Sequence, residues 1–292
     1  MDLSIVIPHR NRRNSLERCL ASLPSAAAVL SYETIVVDNG STDGSREMLK
    51  ERFPEVVLLQ NRTNEGFSRA TNQGLRVARG DHLLCLNNDT LLFPRSLEIL
   101  VFFMKCHPNA GVVGGKILNK DGKVQPSARS FPRLETAFFN RSSLLSHLFP
   151  QNPFSRRYLL NDWNHDSVRQ VDWISGSFFL IRRATFEKVG GFDERFFLYC
   201  EDVDYCRRVQ EAGYHVFYNP EAKITHETGY SERRFDTLFF HHQSMYRFYK
   251  KYHSRGPLWD FAILGGVTCR FLVGATFLVS RRLFKGNNGP SS

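Results

Sequence analysis

The sequence predicts an α/β fold with a doubly wound, mostly parallel β-sheet flanked by helices. Over residues 1–117, short runs of apolar and β-branched residues alternate with segments whose apolar residues recur at helical spacing. Strands separated by helices of this length pair in parallel, because each connection crosses over a face of the sheet. The chain has 292 residues, which is long enough to bury the core of one such domain with an appended region.

The predicted elements follow one another regularly. The strands cover residues 3–7, 33–37, 56–59, 82–86 and 111–115. The helices between them cover residues 14–23, 45–52, 68–78 and 95–106. Residues 118–170 lose the pattern and are rich in Gly, Pro, Ser and Asn, which is typical of an insertion or a long loop. The remaining elements are a strand at 173–181, a helix at 184–189, an acidic helix from residue 201 and a last strand at 214–218.

Polar residues follow each of the first four predicted strands. The stretches are PHRN at 8–11, DNGSTDGS at 38–45, NRTNEG at 61–66 and NNDT at 87–90. Ligands of parallel α/β sheets bind at the carboxyl ends of the strands, so these residues are the candidates for chemistry. Neither the dinucleotide fingerprint GxGxxG nor the phosphate-binding loop GxxxxGK[ST] is present, so a nucleotide requires a different binding device.

Three side chains near these strand ends have suitable chemistry. Asp38 can accept a hydrogen bond from a pyrimidine imide or a ribose hydroxyl, and Asp89 can bind a hard divalent cation through one oxygen. His226 follows the last predicted strand by a few residues. Taken singly, an aspartate after a strand is more typical of a turn, and an isolated histidine is more typical of a hydrogen-bonded structural residue. A site is favoured because all three are expected at the same edge of the sheet.

The acidic residues at the start of the predicted helix from residue 201 could have either of two roles. Glu201, Asp202 and Asp204 lie within its first turn. Acidic residues at the start of a helix complement the helix dipole, and this explanation suffices if nothing else converges there. A carboxylate at this position can also act as a base toward a bound substrate.

The excess of basic residues is concentrated at the C-terminal end. The chain carries 39 Lys and Arg against 29 Asp and Glu, a net charge of +10. Residues 229–292 hold ten of the basic residues and only three acidic ones, a net charge of +7. This balance favours an anionic membrane surface as a partner. Nucleic acid is not expected, because no basic and aromatic stripe lies on a recognisable recognition module.

Two amphipathic segments, 235–252 and 258–280, make up most of this basic region. The second has the length of a membrane span, for which about 20 apolar residues are needed. Arg270 lies near its middle and opposes spanning, at a cost of about 3 kcal/mol. The sequence therefore favours a helix in the membrane interface, with Arg281, Arg282 and Lys285 on anionic headgroups. The alternative is a terminal helix packed on the domain.

The N-terminus and the cysteines indicate a cytosolic protein. Met1 leads directly into the first predicted strand without a charged leader, so no signal peptide is expected. The six cysteines form no C-x-x-C pair and lie mostly within predicted elements, as reduced core residues do.

Several stretches, taken in order, resemble a known family. They are SIVIPHRN, VVDNGSTDGS, NEGFSRATNQG, LLCLNNDT, DWISGSFFLIRRATFEKVGGFDERFFLYCEDVDYCRR and the final TH. Together they are similar to the inverting nucleotide-sugar glycosyltransferases of family 2, which have the GT-A fold, and the resemblance runs from Leu3 to about His226. Residues 64–74 and 190–204 are most similar to rhamnosyltransferase-like members that build bacterial cell-surface polysaccharide.

The resemblance implies a role for individual residues. The residues that would hold the nucleotide of a dTDP- or UDP-sugar donor are Pro8, Arg10, Asn11, Asp38, Asn64 and Asn88. A divalent cation, Mg²⁺ or Mn²⁺, would bind the diphosphate at Asp89 and His226. The residues of the sugar and acceptor pocket would be Trp173, Gly176 and Glu201, and the catalytic base would be Asp202.

This chain departs from the family pattern on the donor side. Asn87 stands where the D-x-D motif of the family has its first aspartate, so a single carboxylate remains for the metal. Arg10 stands where many relatives have a tyrosine that stacks on the base. A guanidinium can also stack there, with a different fit.

The implied organisation and function follow from these residues. Residues 1–228 would form the GT-A domain, with 118–170 over the active site, and 229–292 the basic C-terminal region. In the expected reaction, Asp202 deprotonates a hydroxyl of a glycan or lipid-linked acceptor in a single displacement, in the cytoplasm at the membrane surface. The alternative is a non-catalytic nucleotide-sugar-binding or membrane scaffold protein on the same fold. The presence of Asp202, Asp89 and His226 favours the enzyme.

Overall fold

The computed structural model describes residues 1–132, 153–227 and 235–286 of the chain. Its strands are β1 (Leu3–His9), β2 (Tyr32–Asn39), β3 (Val57–Asn61), β4 (His82–Leu86), β5 (Thr90–Leu92), β6 (Ala110–Leu118), β7 (Val124–Gln125), β8 (Ala128–Arg129), β9 (Arg169–Val171), β10 (Trp173–Ile174), β11 (Phe178–Arg182) and β12 (His215–His226). Its helices are α1 (Arg13–Ala26), α2 (Ser45–Arg52), α3 (Phe67–Val77), α4 (Ser96–Cys106), α5 (Pro153–Leu159), α6 (Arg183–Val189), α7 (Glu201–Glu211), α8 (Phe235–Tyr252) and α9 (Pro257–Gly286).

Most of the described strands form one mixed sheet, in the order β3-β2-β1-β4-β11-β6-β12-β5. β1 pairs in parallel with β2 and β4, β2 with β3, and β6 with β12. β11 is antiparallel to both of its neighbours, β4 and β6. The predicted doubly wound, mostly parallel sheet is confirmed, and the carboxyl ends of its parallel strands meet at one edge.

Helices cover both faces of this sheet. In β1, Ile5 and Ile7 belong to one buried apolar cluster and Val6 belongs to the other, and none of the three is exposed. The helices α1, α2 and α4 contribute to the first cluster, and α3 and α7 contribute to the second. The alternation of side chains along each strand therefore produces two buried faces.

The prediction of one continuous strand over residues 173–181 is wrong. The structure divides it into β10 and β11, which are separated by a turn at residues 175–177. In this turn, Ser175 N donates to Ser127 O at 2.8 Å, and Gly176 N donates to Asp202 Oδ2 at 3.0 Å. The chain leaves the sheet here because these backbone donors are used by another loop and by α7 instead of by a neighbouring strand.

The last strand is longer than the predicted 214–218. β12 runs to His226, with a shifted register between Asn219 and Lys223. Pro220 lies in the shifted part, where it has no N–H to donate to a neighbouring strand. The extension pairs with β5 and brings His226 beside the residues that follow β4.

Some predictions fall outside the described residues. Of the predicted insertion at 118–170, residues 133–152 lie outside them, and the remainder contains β7, β8, α5 and β9. The predicted domain boundary between residues 228 and 229 and the side chains of Arg281, Arg282 and Lys285 also lie outside them.

The cysteines follow their prediction in part. All six are free, and Cys19, Cys85 and Cys206 are buried as expected of core residues. Cys106 and Cys269 are exposed, because they lie on the outward surfaces of α4 and α9.

Helix α8 packs along the segment that precedes α7. The ring of Phe240 stacks on that of Phe197, with centroids 4.2 Å apart. Ser244 Oγ donates to Leu198 O at 2.9 Å. The C-terminal region is therefore in contact with the part of the chain that leads into the acidic helix.

Helix α9 packs on α8 and leaves most of its apolar surface exposed. The ring of Phe271 lies 5.5 Å from that of Phe235, and a Cβ on Gly274 would lie 3.2 Å from Leu238. Residues Pro257–Ser280 have the length and composition of a membrane span. Their most apolar 18-residue window has a mean hydropathy of 1.8, and none of that window is buried.

We expect Gly66 to be intolerant of a side chain. Its φ of +86° lies in the left-handed region, and a Cβ there would meet Phe197 at 2.7 Å. Gly66→Ala should lower the free energy of unfolding by about 2–4 kcal/mol in urea denaturation, because backbone strain and the close contact add. Gly122→Ala is the control, since Gly122 has a φ of +78° with nothing within 4 Å. Its loss should be about 1 kcal/mol; equal losses in the two variants would contradict the close contact.

Candidate active site

The loops after β1 and β2 are joined at the carboxyl edge of the sheet. Asn11 N donates to Ser41 Oγ at 3.0 Å, and Asn11 Oδ1 accepts from Thr42 N at 2.8 Å. Asn11 has a φ of +48°, a conformation in which asparagine is enriched. Pro8 lies in β1, and Arg10 is exposed in the same loop. Three of the predicted donor residues are thus found together.

Asp38, at the end of β2, is buried and has partners of its own. Its side chain has no exposed surface, and Oδ2 accepts from Arg46 Nε at 2.6 Å. Ser41 N also donates to the carboxylate, at 3.2 Å. Arg46 donates further to Asn61 O and so connects β2 with β3. Arg46 was not among the predicted residues, and its signal in the sequence is its place in the first turn of the helix after Asp38.

His9 connects the end of β1 with the end of β4. Its Nδ1 lies 2.8 Å from Asn88 Nδ2, and its Nε2 lies 2.8 Å from Ser45 Oγ. Burial lowers the pKa of His9, so the ring is neutral, with Nδ1 accepting from the amide and Nε2 donating to the hydroxyl. His9 was also missed, although it stands within the polar stretch PHRN.

Asp89 lies between a histidine and an arginine. His226 Nε2 is 3.0 Å from Asp89 Oδ1, and Arg12 Nη1 is 3.4 Å from Oδ2. The amide of Asn87 lies 3.4 Å from the same histidine nitrogen. Asp89 and His226, predicted as a pair from positions 137 residues apart, are therefore in contact, and Arg12 is an unpredicted third member.

A divalent cation fits this pair if it binds together with a diphosphate. Within the three described ranges, no group of three or more His, Cys, Asp or Glu side chains could hold a metal ion. Asp89 offers an oxygen and His226 a nitrogen, a donor set that suits Mn²⁺, and Mg²⁺ is commonly held by one or two carboxylates with substrate phosphates. Asp89 and His226 would supply a minority of the ligands of such an ion, because Asn87 stands where a second carboxylate would be.

The first turn of α7 brings another carboxylate to this edge. Asp202 Oδ2 accepts from Gly176 N at 3.0 Å. Ser177, the residue after Gly176, accepts through its carbonyl from Asn87 N at 3.1 Å. Two backbone hydrogen bonds therefore connect Asp202 with the strand end that carries Asp89.

Glu201 and Asp202 differ in exposure and in partners. Glu201 is 6% exposed, and its Oε2 has no hydrogen-bond partner in the described part of the chain. Asp202 is partly exposed and accepts a second bond from Val203 N at 2.8 Å. Burial raises the pKa of Glu201 well above its usual range, and the charge of Asp202 raises it further. Burial also raises the pKa of Asp202, while the backbone donors Gly176 N and Val203 N oppose this rise, and Asp202 is the more accessible member of the pair.

The two residues before α7 have an uncommon backbone conformation. Tyr199 and Cys200 have φ values of +70° and +66°. Such conformations cost about 1–3 kcal/mol each and persist where the surroundings fix them. Here Phe67 N, at the start of α3, donates to Phe197 O at 2.7 Å. The start of α3 therefore supports the turn that directs α7 toward the strand ends.

Trp173 and Asn64 lie at the margins of the site. Trp173 is 7% exposed, and its Nε1 donates to Ser130 O at 2.8 Å, so it presents little surface to a substrate. Asn64 Oδ1 accepts from Gly66 N at 3.2 Å and shapes its own loop. Arg129, which lies 5.3 Å from the ring of Trp173, was not predicted, although its charge lowers the pKa of Asp202.

The fold and the site define a class of protein, the GT-A-type glycosyltransferases. Asp89, His226 and Asp202, the last at the start of α7, lie at one edge of the sheet. The sequence profile of glycosyl transferase family 2 matches residues 4–206, and the chain belongs to this family. The prediction of an enzyme is confirmed, which removes support from the alternative of a non-catalytic scaffold protein.

Individual proteins similar to this chain agree with the family. An N-acetylglucosaminyl-diphospho-decaprenol L-rhamnosyltransferase of Mycobacterium tuberculosis is 36% identical over 259 residues, which cover 83% of each chain. A mannosyltransferase of Pyrobaculum calidifontis, solved with GDP-Man and Mn²⁺, has a TM-score of 0.58 at 16% identity, over 98% of this chain and 79% of that one. TarS of S. aureus has a TM-score of 0.56 at 16% identity, over 90% of this chain and 42% of that one. The two structures confirm the fold.

We expect Glu201→Gln to stabilise the protein increasingly as the pH rises. The raised pKa of Glu201 contributes stability that is present below the ordinary value of 4.5 and is lost as the pH rises toward the pKa of the folded state. Glutamine is neutral throughout and avoids this loss. The melting temperature of Glu201→Gln relative to wild type should therefore increase by roughly 2–4 °C between pH 5 and pH 9 in calorimetry.

The control for this experiment is Glu211→Gln, at the exposed end of the same helix. Its melting temperature relative to wild type should show no such trend. A parallel trend in both variants would mean that the effect is not specific to the buried carboxyl group.

Proposed function

We propose that this glycosyltransferase transfers rhamnose, with inversion, from a dTDP- or UDP-linked donor to a hydroxyl of a lipid-linked glycan. The observation that carries the proposal is the partly exposed carboxylate of Asp202, held by Gly176 N at 3.0 Å and connected through Asn87 to the Asp89–His226 pair. A base and a diphosphate site then lie at one sheet edge, as a single displacement requires. The choice of rhamnose is supported by the relative from M. tuberculosis.

Asp202 acts as the base toward the acceptor. It takes the proton of the hydroxyl as the oxygen attacks the anomeric carbon, and the nucleoside diphosphate leaves from the opposite face. The hydroxyl becomes far more acidic as its oxygen bonds to carbon, so an ordinary carboxylate is a sufficient base. The N–H groups of Gly176 and Val203 fix the orientation of the carboxylate, and the dipole of α7 favours its charged form. Glu201, which is buried beside Asp202, is proposed to shape the sugar and acceptor pocket.

The donor would lie over the ends of β1, β2 and β4. Asp89 and His226 would hold a divalent cation, which supplies positive charge to the leaving diphosphate when bound. Arg12 lies 3.4 Å from Asp89, so the protein itself also contributes a positive charge beside the proposed diphosphate site. Arg10 is exposed and can stack on the base. The remaining nucleotide contacts are proposed for Pro8, Asn11, Asp38, Asn64 and Asn88.

The acceptor would be presented at the cytosolic face of a membrane, where we propose that the protein binds peripherally. The relative from M. tuberculosis acts, by its name, on a decaprenol-linked substrate. Helix α9 exposes Leu258, Phe261 and Val273 at 83%, 77% and 65%. Burial of apolar surface contributes about 25 cal/mol per Å², and the net charge of +7 over residues 229–292 attracts anionic lipid.

We expect Asp202→Asn to abolish transfer while leaving donor binding intact. The amide keeps the shape of the side chain but cannot accept the proton, so kcat should fall by about 10²–10⁴-fold. Transfer of labelled rhamnose from dTDP-rhamnose to a lipid-linked acceptor measures the first effect, and calorimetric titration with dTDP measures the second. Full activity of Asp202→Asn would rule out this base.

Asp89→Asn is the complementary variant. It keeps the base but removes the only carboxylate of the metal pair, so the affinity for dTDP in the presence of Mn²⁺ should fall at least about tenfold. Wild-type affinity in Asp89→Asn would show that the donor side has been assigned to the wrong residues.

We expect the exposed apolar residues of α9 to control membrane binding. The double variant Phe261→Glu, Val273→Glu should no longer float with phosphatidylglycerol vesicles, because each new charge would have to enter the membrane interface. Both side chains are largely exposed, so the melting temperature should stay unchanged. Val29→Glu is the control, since Val29 is 80% exposed before β2. Wild-type protein that does not float with these vesicles would contradict the proposal.

A further inference from the structure

We infer that Lys251 and Tyr252 of helix α8 are positioning residues for Asp202, and that they act through the buried carboxylate of Asp204. The inference rests on the proposed role of Asp202 as the base. It makes α8 part of the catalytic unit, in addition to any role of the C-terminal region at a membrane.

Asp204 lies in the first turn of α7, two residues after Asp202, and none of its side chain is exposed. Its Oδ1 accepts from Lys251 Nζ at 2.5 Å and from Tyr252 Oη at 2.7 Å. Its Oδ2 accepts from Arg208 Nε at 2.9 Å. Donors of this kind offset the lost hydration of a buried carboxylate, and two of these three come from α8.

Lys251 and Tyr252 also contact other parts of the same region. Lys251 Nζ donates to Asp193 Oδ2 at 2.8 Å, in the segment before α7. The guanidinium of Arg207 lies 4.1 Å from the centre of the Tyr252 ring. The last turn of α8 therefore joins the first two turns of α7 to the loop that leads into them, and α7 cannot tilt without breaking these contacts.

The middle of α8 supports the strained turn before α7. Ser244 Oγ donates to Leu198 O at 2.9 Å. The next two residues, Tyr199 and Cys200, are those with φ values of +70° and +66°. Because α8 contacts the chain on both sides of Glu201 and Asp202, it determines where α7 begins.

The consequence falls on the base and not on the donor site. Asp202 shares its helical turn with Asp204, so a tilt of α7 moves its carboxylate away from Gly176 N. A displacement of about 1 Å at a reacting group can lower a rate about 100-fold. The proposed nucleotide-binding residues lie at or after the ends of β1, β2, β3 and β4, on elements other than α7 and α8.

The test compares Lys251→Met with Lys250→Met in the full-length chain. Lys250 is the adjacent lysine of the same helix, but its partner is Asp260 instead of Asp204. We expect Lys251→Met to lower kcat at least about tenfold while the Kd for dTDP changes less than about twofold. Lys250→Met should keep both values within about twofold of wild type. A kcat of Lys251→Met equal to that of Lys250→Met would overturn the inference.

Two further variants separate positioning from general loss of structure. Tyr252→Phe removes one hydroxyl but keeps the ring against Arg207, and we expect a lower kcat with an unchanged Kd for dTDP. The double variant Asp204→Asn, Lys251→Met should have a kcat no lower than Asp204→Asn alone, because the lysine acts through that carboxylate. Independent, multiplying losses in the double variant, or equal losses of kcat and dTDP binding in Tyr252→Phe, would overturn the inference.

Failure of this inference differs from failure of the proposed function. An inactive Asp202→Asn together with a fully active Lys251→Met would overturn only the positioning role. A fully active Asp202→Asn would remove the base, and the positioning role with it.

Discussion

The arrangement of the site depends on one backbone hydrogen bond, from Gly176 N to Asp202 Oδ2 at 3.0 Å. It joins the first turn of α7 to the turn that enters β11. Because β11 runs antiparallel between β4 and β6, it begins at the edge where those strands end. This donor, in the turn before β11, therefore holds the carboxylate of Asp202 toward the strand end that carries Asp89.

The proposed donor side of the site has one acid where the pattern that the sequence resembles has two. Asn87 replaces the first aspartate, and the two oxygens of Asp89 contact His226 and Arg12. Positive charge is therefore present in the protein itself, next to the remaining carboxylate. Under the proposed function, these side chains would share with a cation the task of stabilising a leaving diphosphate.

The two C-terminal helices differ in what they contact. Helix α9 exposes a long apolar stretch, whereas α8 lies against the segment between Asp193 and Asp204. By composition the two helices belong to one basic region. By packing they differ, because α8 contacts the segment around α7 and α9 is mostly exposed. Under the proposed function, contact with a membrane and alignment of Asp202 involve one continuous pair of helices.

The sequence by itself determined the alternation of strands and helices, the polar edge of the sheet, and the places of Asp89 and Asp202 along the chain. The alternation and the polar edge follow from periodicity and loop composition, which act over a few residues, whereas the choice of Asp202 as the base came from the family resemblance. Only the tertiary structure decided that β11 enters between β4 and β6, and that Arg12 and Lys251 reach carboxylates 77 and 47 residues away. Such contacts depend on how strands pair and how helices pack, and no local pattern specifies which distant residues meet.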